Sequence, residues 1–306
     1  MGRDLSMRLG RIVLTCLSII YFCSLGMERI SDAGRGSSVT ASMAKAASST
    51  VTYVRRLPTG NLGTAWLTAG RSRYSVSILA LTVDTYVNSM GLLAVALTLA
   101  ALVGLATGVL SAMVQGSPVS LAILTTSLLG ISLPTFFTAL LLQILEIWWY
   151  QRTGVRLVPV GGFGWDRHLI LPALVLAARP LAQISRMTSV SLSESAGQDY
   201  VRTARAKGLA TGYIWRGHIL PNAAVAILTA VGVSMRFALG SLPIVEYYFG
   251  WPGMGAALLN AIHTRQTNLV ITLALALALT FMCVNMVLEA SYRLVDPRMR
   301  ADASQL

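Results

Sequence analysis

Long apolar segments separated by shorter polar ones dominate the chain. A helix needs about 20 apolar residues to cross the hydrocarbon core of a bilayer, and only a helix satisfies its own backbone hydrogen bonds there. The pattern predicts an all-α integral membrane protein with six transmembrane helices. These lie at about residues 12–26, 89–114, 119–145, 169–191, 221–245 and 268–292.

The composition supports a membrane environment. The chain of 306 residues is 55% hydrophobic and 12% charged, which is about half the charged fraction of a typical soluble domain. A net charge of +12 is also compatible with nucleic-acid binding. However, the charges lie mostly between the apolar segments, and no basic run is interleaved with aromatic residues. We therefore attribute the charge to orientation in the membrane and contact with anionic lipid, and expect no nucleic-acid partner.

The first apolar segment, residues 12–26, has two interpretations. Three arginines precede it, and a basic start followed by about 15 apolar residues describes a cleaved signal peptide as well as an uncleaved signal-anchor helix. We favour the anchor because no compact domain follows that would be secreted. The polar residues 27–88 have no predictable structure. Residues 31–49 contain few large apolar side chains, so we expect them to be poorly ordered.

The distribution of basic residues predicts the orientation of the chain. Arg and Lys are concentrated before the first segment, between residues 186 and 216, and after residue 292. With six spans these regions fall on one side, which the positive-inside rule assigns to the cytoplasm. Other loops also contain Arg, so the bias is modest. We predict a multi-pass protein of the bacterial inner (plasma) membrane with both termini in the cytoplasm.

The connection between the fourth and fifth segments, residues 197–222, carries the most informative pattern. Asp199 is a candidate N-cap, because its carboxylate can accept hydrogen bonds from first-turn amides. Helix-favouring residues follow, and Gly208 is placed to end the helix because glycine adopts the left-handed conformation without strain. The connection therefore begins with a short helix that ends at a glycine.

A second helical stretch is expected at residues 213–218, and Pro221 suits the first turn of the fifth span. We expect Tyr200, Val201 and Ala204 to cluster on one side of the first short helix. An ordinary basic loop that only sets topology is the alternative interpretation.

This connection resembles the coupling loop of type I ABC importer permeases, in the branch that imports dipeptides, oligopeptides, nickel and glutathione. Arg202-Thr203-Ala204, Gly208 and Leu220-Pro221 stand at the spacing of that family's motif. Further stretches in the family's order extend the resemblance from about residue 59 to residue 300. They are residues 130–134 (GISLP), 157–162 (LVPVGG), 246–255 (EYYFGWPGMG) and 296–298 (DPR).

Two stretches depart from the family. A proline-glycine-aspartate-proline element usually follows the first helix, whereas residues 28–32 of this chain are ERISD. The turn between the second and third spans is usually basic, whereas residues 115–118 are QGSP. These departures concern the surface near the N-terminus that would dock a binding protein, and they leave the expected fold unchanged.

The resemblance implies a type I permease fold with a cytoplasmic coupling helix. On that basis we divide the chain into an N-terminal helix with an extracytoplasmic segment (1–85), the permease domain (86–293) and a cytoplasmic tail (294–306). The expected partners are two ABC ATPase subunits, a second homologous permease, an extracytoplasmic solute-binding protein and membrane lipid. We expect no cofactor in this chain, which has no G-x-x-x-x-G-K-[ST] loop, so ATP and Mg would be bound by the ATPases.

The resemblance also implies which residues contact the ATPase. They lie in the first short helix of the connection and at its ends. The predicted coupling residues are Gln198, Asp199, Tyr200, Arg202, Thr203, Ala204, Arg205, Lys207 and Gly208.

Charged residues within the apolar segments are candidates for the translocation pathway. An ionisable group at membrane depth is costly and usually faces a cavity or a partner. Arg236 lies about 22 Å along the fifth helix from Pro221, and we consider that it faces the pathway with Glu246 and pairs with an anionic substrate group. The alternatives are a structural pair with Glu146 or Glu246, or a side chain that reaches out of the membrane.

The predicted function is the membrane-spanning permease subunit of an ATP-driven importer for peptides or similar small solutes. A self-contained channel or secondary transporter is the alternative, but a long helix–glycine–helix connection would have no purpose there. We expect no enzyme activity, because the sequence shows no catalytic constellation and the three histidines stand far apart. Gly104 and Gly108 form a G-x-x-x-G pair that permits close helix approach, although in a chain with 26 glycines such a pair can also arise by chance.

Overall fold

The computed structural model describes residues 2–32, 38–69 and 72–295. It is dominated by helices and divides into two compact units. Unit 1 comprises Met1–Ser89 and Trp251–Phe281, and unit 2 comprises Met90–Gly250 and Met282–Leu306. The longer helices are α1 (Gly2–Asp32), α2 (Val39–Arg56), α3 (Ile78–Met113), α4 (Pro118–Ser132), α5 (Thr135–Thr153), α6 (Ile170–Ala196), α9 (Leu220–Phe249), α10 (Met254–His263) and α11 (Thr267–Val295). Two short helices are α7 (Asp199–Ala206) and α8 (Thr211–Ile214).

The apolar helices confirm the all-α membrane prediction. Within residues 2–32, 38–69 and 72–295, five helical stretches are long and apolar enough to cross a membrane, and the pair α4 and α5 makes a sixth if it is counted as one span. The helix predicted from residue 89 begins at Ile78, because the single carboxylate of Asp84 does not interrupt an otherwise apolar run. The predicted division at residue 85 therefore falls inside α3, and it stays a prediction. Most of the predicted tail, with residues 296–298, lies outside the described residues.

The third span was predicted as one helix, and this was wrong in detail. It is broken between α4 and α5, whose axes differ in direction by 111°. Pro134 explains the break, because proline disfavours helical geometry in the residue before it. Leu133 accordingly has extended backbone angles, and Pro134 becomes the N-cap of α5.

Unit 1 contains helix α2 where the sequence predicted poor order. The Oγ atom of Ser38 accepts a hydrogen bond from the backbone N–H of Ala41 at 3.3 Å, which caps the start of α2. Within residues 31–49, the part from Val39 onward is therefore helical, which corrects the prediction. The small side chains there let α2 lie close to α1, and Ser42 and Ala46 are completely buried.

A two-stranded antiparallel sheet follows in unit 1. Strand β1 (Thr64–Ala69) pairs with β2 (Ser72–Ser77) in the register Thr64↔Ser77 to Ala69↔Ser72. The side-chain amide of Gln266 accepts from the backbone N–H of Trp66 and donates to its carbonyl, both at 2.8 Å. Gln266 thus satisfies the backbone N–H and carbonyl groups of Trp66 in β1, as a neighbouring strand would.

Unit 2 is built around α6, which packs against α4, α5 and α9. Helix α3 approaches α6 closely at the predicted G-x-x-x-G pair. A Cβ atom on Gly104 would lie 2.9 Å from the carbonyl oxygen of Leu181, and one on Gly108 would lie 2.6 Å from that of Ser185. The glycine pair is therefore a real packing site.

Buried hydroxyl groups join the same helices. The Oγ atom of Ser189 in α6 donates to that of Ser111 in α3 at 2.9 Å, and Ser111 is 2.9 Å from Ser120 in α4. Thr107 donates to Ser185 at 2.9 Å one turn away. Such bonds satisfy polar groups where no water is available, so they fix the arrangement of α3, α4 and α6.

Candidate coupling site and charged residues of the spans

The connection between α6 and α9 is helical for most of its length, as the sequence predicted. Helix α7 is followed by an extended residue at Ala210, by α8 and by a π-helical turn, Trp215–Ile219, that continues into α9. Pro221 lies in the first turn of α9, as predicted. The N-cap prediction was wrong by one position. Gln198 is the N-cap, and Asp199 is the first residue of the helix, where its charge still favours the exposed amides.

Gly208 ends α7 in the left-handed conformation that the sequence predicted. Its φ angle is +74°. The N–H of Gly208 donates to the carbonyl of Arg205 at 2.9 Å, and that of Leu209 donates to the carbonyl of Ala204 at 3.3 Å. This pair of bonds is a Schellman motif, in which glycine is the favoured residue. Gly208 therefore fixes the angle at which the chain leaves α7.

Four apolar side chains of the connection anchor it to the long helices of unit 2. Val201 and Ile219 are completely buried, and Ala204 and Ile214 are nearly so. They pack with the ends of three long helices, in a cluster that includes Ala112 of α3, Leu192 of α6 and Ala223 of α9. Movement of α7 therefore requires movement of these helix ends.

Eight of the nine predicted coupling residues are exposed, on α7 or at its ends. Ala204 is the exception among the nine, because it is buried and anchors the helix. Tyr200 is 39% exposed, whereas Val201 and Ala204 are buried, and the predicted position of all three on one side of α7 stays a prediction. The other exposed residues are Gln198, Asp199, Arg202, Thr203, Arg205, Lys207 and Gly208.

An exposed aromatic group next to α7 was missed by the sequence analysis. The ring of His218 lies 6.5 Å from that of Tyr200 and 6.0 Å from that of Tyr213, measured between centroids. Tyr213 is 61% exposed. Residues five apart lie on different sides of an α-helix, and the π-helical turn brings Tyr213 and His218 together. We call Tyr200, Tyr213 and His218 the aromatic group.

The exposed surface of α7 and of the rest of the connection is basic. Arg202, Arg205, Lys207 and Arg216 are exposed. The ion pair between Arg202 and Asp199, at 3.4 Å, joins two strongly exposed side chains and contributes little stability. The surface therefore offers cations and aromatic rings to a partner.

Arg236 in α9 is exposed, and its Nε atom donates to the Oδ1 atom of Asn285 in α11 at 2.8 Å. Asn285 was not considered from the sequence. Glu246, which was predicted to share the pathway with Arg236, is completely buried. Nearby in α6, the guanidinium carbon of Arg179 lies 4.2 Å from the ring centroid of Phe237, a cation–π contact between α6 and α9.

Two polar side chains of α5 hold the loop at residues 157–162. The Oε1 atom of Glu146 accepts from the backbone N–H groups of Leu157 at 2.8 Å and Val158 at 3.2 Å. The side chain of Gln143, one turn earlier, donates to the carbonyl of Val160 at 2.8 Å. Glu146 is 6% exposed, so its carboxylate organises the loop.

Glu146→Ala is expected to loosen this loop, because two backbone amides lose a charged acceptor. Such a loss costs about 1–3 kcal/mol. Limited proteolysis of the purified protein should show faster cleavage within residues 154–166. Glu146→Gln keeps an acceptor oxygen and serves as the control. Equal cleavage rates for Glu146→Ala and the unmodified chain would contradict this role.

The end of the same loop is held by its own polar residues. The carboxylate of Asp166 accepts from the backbone N–H of His168 at 3.0 Å and lies 2.7 Å from its Nδ1 atom. These hydrogen bonds, the backbone one first, lower the pKa of Asp166. His168 is therefore a hydrogen-bond partner of Asp166 within the loop. Among the described residues, no group of three or more His, Cys, Asp or Glu side chains could hold a metal ion.

The described part of the chain thus combines five or six helical spans with a short helix that is anchored at the ends of three of them. The family model for the binding-protein-dependent transport system inner membrane component matches residues 104–301. The chain belongs to this family and is the membrane permease subunit of an ABC importer. The resemblance stated from the sequence is thereby confirmed.

Relatives and a solved structure agree with this family. The di/tripeptide transport system permease protein DppB of Pseudomonas aeruginosa is 35% identical over 271 residues, which cover 81% of this chain and 79% of that protein. A protein of Brucella suis biovar 1 whose name describes a peptide permease is 34% identical over 248 residues, covering 79% and 76%. A chain of the inward-facing MetNI methionine ABC transporter has a TM-score of 0.52 at 17% identity. It covers 72% of this chain and 98% of that chain, and it supports the fold alone.

Proposed function

We propose that this chain forms part of the translocation pathway of an importer for peptides. The named relatives support this substrate class, since they are described as peptide permeases at 34–35% identity. Nickel, glutathione and other small solutes are the competing substrates within the branch. The observation that carries the transport mechanism is the coupling connection, which is exposed on one side and anchored in the spans on the other.

The family implies ATPase and binding-protein partners in general. We propose two ATPase subunits that bind ATP and Mg, a second related permease and an extracytoplasmic solute-binding protein. We further propose that this chain holds no cofactor and catalyses no reaction itself. The distribution of Arg and Lys supports an orientation with both termini, and the coupling connection, in the cytoplasm.

In the proposed mechanism, α7 transmits ATPase closure to the membrane spans. The ATPase contacts the exposed basic surface and the aromatic group. The buried residues Val201 and Ile219 pass the displacement to the ends of α3, α6 and α9. ATP can shift the conformational equilibrium only if these contacts differ between the inward- and outward-open states.

Purification in a mild detergent followed by mass spectrometry tests the partners, and uptake into proteoliposomes tests the substrate. We expect two ATPases and a second permease to co-purify, and labelled dipeptide to accumulate only with ATP and binding protein. Purification of this chain alone, in a detergent that preserves such complexes, would contradict the proposed assembly. ATP-independent solute flux would favour a channel or secondary transporter.

We propose that Arg236 contacts the carboxylate of the substrate within the pathway. Its exposure and the orienting hydrogen bond to Asn285 support this role. Arg236→Ala should reduce uptake of a dipeptide with a free carboxylate by about tenfold, and that of its C-terminal amide much less. Arg236→Lys keeps a positive charge at the same position and is the matched control. Unchanged uptake by an Arg236→Ala importer that assembles normally would rule this role out. For Glu246, a pathway role stays a prediction.

A further inference from the structure

Unit 1 contains a polar pocket of about 230 Å³. It is formed by the last turns of α1, the C-terminal half of α2 and the start of α11. Glu28 and Arg56 contribute opposite charges, and hydroxyl and amide groups line most of the remainder. These groups include those of Ser49, Thr52, Tyr53 and Asn268. We call this the α1–α2 pocket.

The two charges of the α1–α2 pocket are not neutralised by the protein. Among the described residues, the side chains of Glu28 and Arg56 have no ion-pair or hydrogen-bond partner. The same pair of helices does contain an ion pair elsewhere, between Lys45 and Asp32 at 3.7 Å. A carboxylate and a guanidinium in one pocket can each gain a charge-assisted hydrogen bond from a ligand that carries both opposite charges.

The base of the pocket is fixed by a buried hydrogen bond. The hydroxyl of Tyr53 lies 2.8 Å from that of Thr272 in α11, and Tyr53 is 4% exposed. Burial raises the pKa of Tyr53, so the phenol stays neutral. This bond ties α2 to α11 next to the exposed side chains of Thr52 and Arg56. The pocket is thus lined mainly by residues of three helices, with Leu62 from the segment that follows α2.

The lining selects a polar ligand of limited length. Ser49, Thr52 and Asn268 offer hydrogen bonds along the pocket, and a purely apolar ligand would leave them and both charges unsatisfied. A compact space of this volume is roughly 6–8 Å across, which matches the ~7 Å that two residues of extended chain can span. An inorganic cation or anion would match one charge and be repelled by the other.

We infer that the α1–α2 pocket binds a short zwitterionic peptide, with its ammonium group at Glu28 and its carboxylate at Arg56. This inference rests on the proposed peptide import. With the N-terminus in the cytoplasm, the last turns of α1 and the start of α11 lie at the extracytoplasmic side, from which peptides arrive. The pocket then provides a peptide contact on the side from which the substrate enters.

Equilibrium binding of labelled L-alanyl-L-alanine tests the inference, using the intact importer in lipid nanodiscs without binding protein or ATP. Glu28→Gln and Arg56→Gln should each weaken binding by about tenfold. Arg55→Gln, which removes the neighbouring exposed charge outside the pocket, should leave binding unchanged. N-acetylated dialanine should bind about tenfold more weakly than free dialanine to the unmodified importer, and Glu28→Gln should abolish that difference.

A local readout separates this pocket from any other peptide site. Ser48 also lines the pocket and is exposed, so Ser48→Cys, with the native cysteines replaced by serine, should react with a thiol reagent. Dialanine should slow that reaction, and Arg56→Gln should remove the protection. Absence of protection, or equal affinity in Glu28→Gln, Arg56→Gln and Arg55→Gln, would overturn the inference. ATP-driven peptide uptake, measured on the same preparations, would remain if only this inference fails and would be absent if the proposed function fails.

Discussion

Replacing Gly108 with valine is expected to prevent the helices of unit 2 from packing. Even one Cβ atom at this position would lie 2.6 Å from both the carbonyl oxygen of Ser185 and the Cβ atom of Thr188. One of these atoms is backbone and the other is fixed within α6, so neither can turn aside. Overpacking of this kind costs about 1–3 kcal/mol for a methyl group or two, and the separation of α3 from α6 would also stretch the hydroxyl contacts at Thr107 and Ser111.

Detergent-solubilised protein should show this effect as a loss of the monodisperse fraction and a lower melting temperature. Gly26→Val is the matched control, because Gly26 is also helical and a Cβ atom added to it would have no other atom within 4 Å. Comparison with this control separates the packing effect from the intrinsic effect of valine on helix stability. Equal melting temperatures for Gly108→Val and Gly26→Val would show that α3 and α6 do not pack at this glycine.

Replacing Gly208 with valine is expected to uncouple ATP hydrolysis from transport while leaving the spans intact. At a φ angle of +74°, a β-branched residue is strained by about 1–3 kcal/mol. The strain is relieved if the Schellman motif opens and α7 changes its angle to the anchored part of the connection. A partner ATPase would then meet a displaced surface.

Uptake of labelled peptide per ATP hydrolysed, in proteoliposomes with binding protein, should fall about tenfold for Gly208→Val. Gly212→Val is the matched control, since Gly212 lies in the same connection, in α8. It has no positive φ angle, and a Cβ atom added to it would meet open space. Co-purification of the ATPases verifies that the complex still forms. A ratio equal to that of the control would mean that the end of α7 does not set the coupling geometry.

Sequence patterns predicted the coupling connection well where one residue determines local backbone geometry. Gly208 ends α7 because glycine adopts a left-handed conformation, and Pro221 occupies the first turn of α9. The N-cap was misplaced by one residue because Asp199 is a favoured N-cap type, whereas Gln198, the actual N-cap, makes no side-chain capping bond and gives no such signal. Which residues of α7 are buried was not predicted, because their burial depends on Ala112 and Leu192, which are distant in sequence.

The prediction that residues 31–49 are poorly ordered was wrong for a different reason. Their small residues bury little apolar area alone, which is why the sequence favoured poor order. Packing against α1 supplies the missing stabilisation, since Ser42 and Ala46 are buried. The sequence contains no local signal for that contact.

By itself, the sequence determined the membrane environment, the helical spans, the coupling connection and the family to which it belongs. These properties follow from apolar length, from glycine and proline geometry and from motif spacing, all of which are local. Tertiary structure alone decided the pairing of Arg236 with Asn285 and the α1–α2 pocket. Each of these depends on which distant segments pack together, and local residue preferences do not specify that.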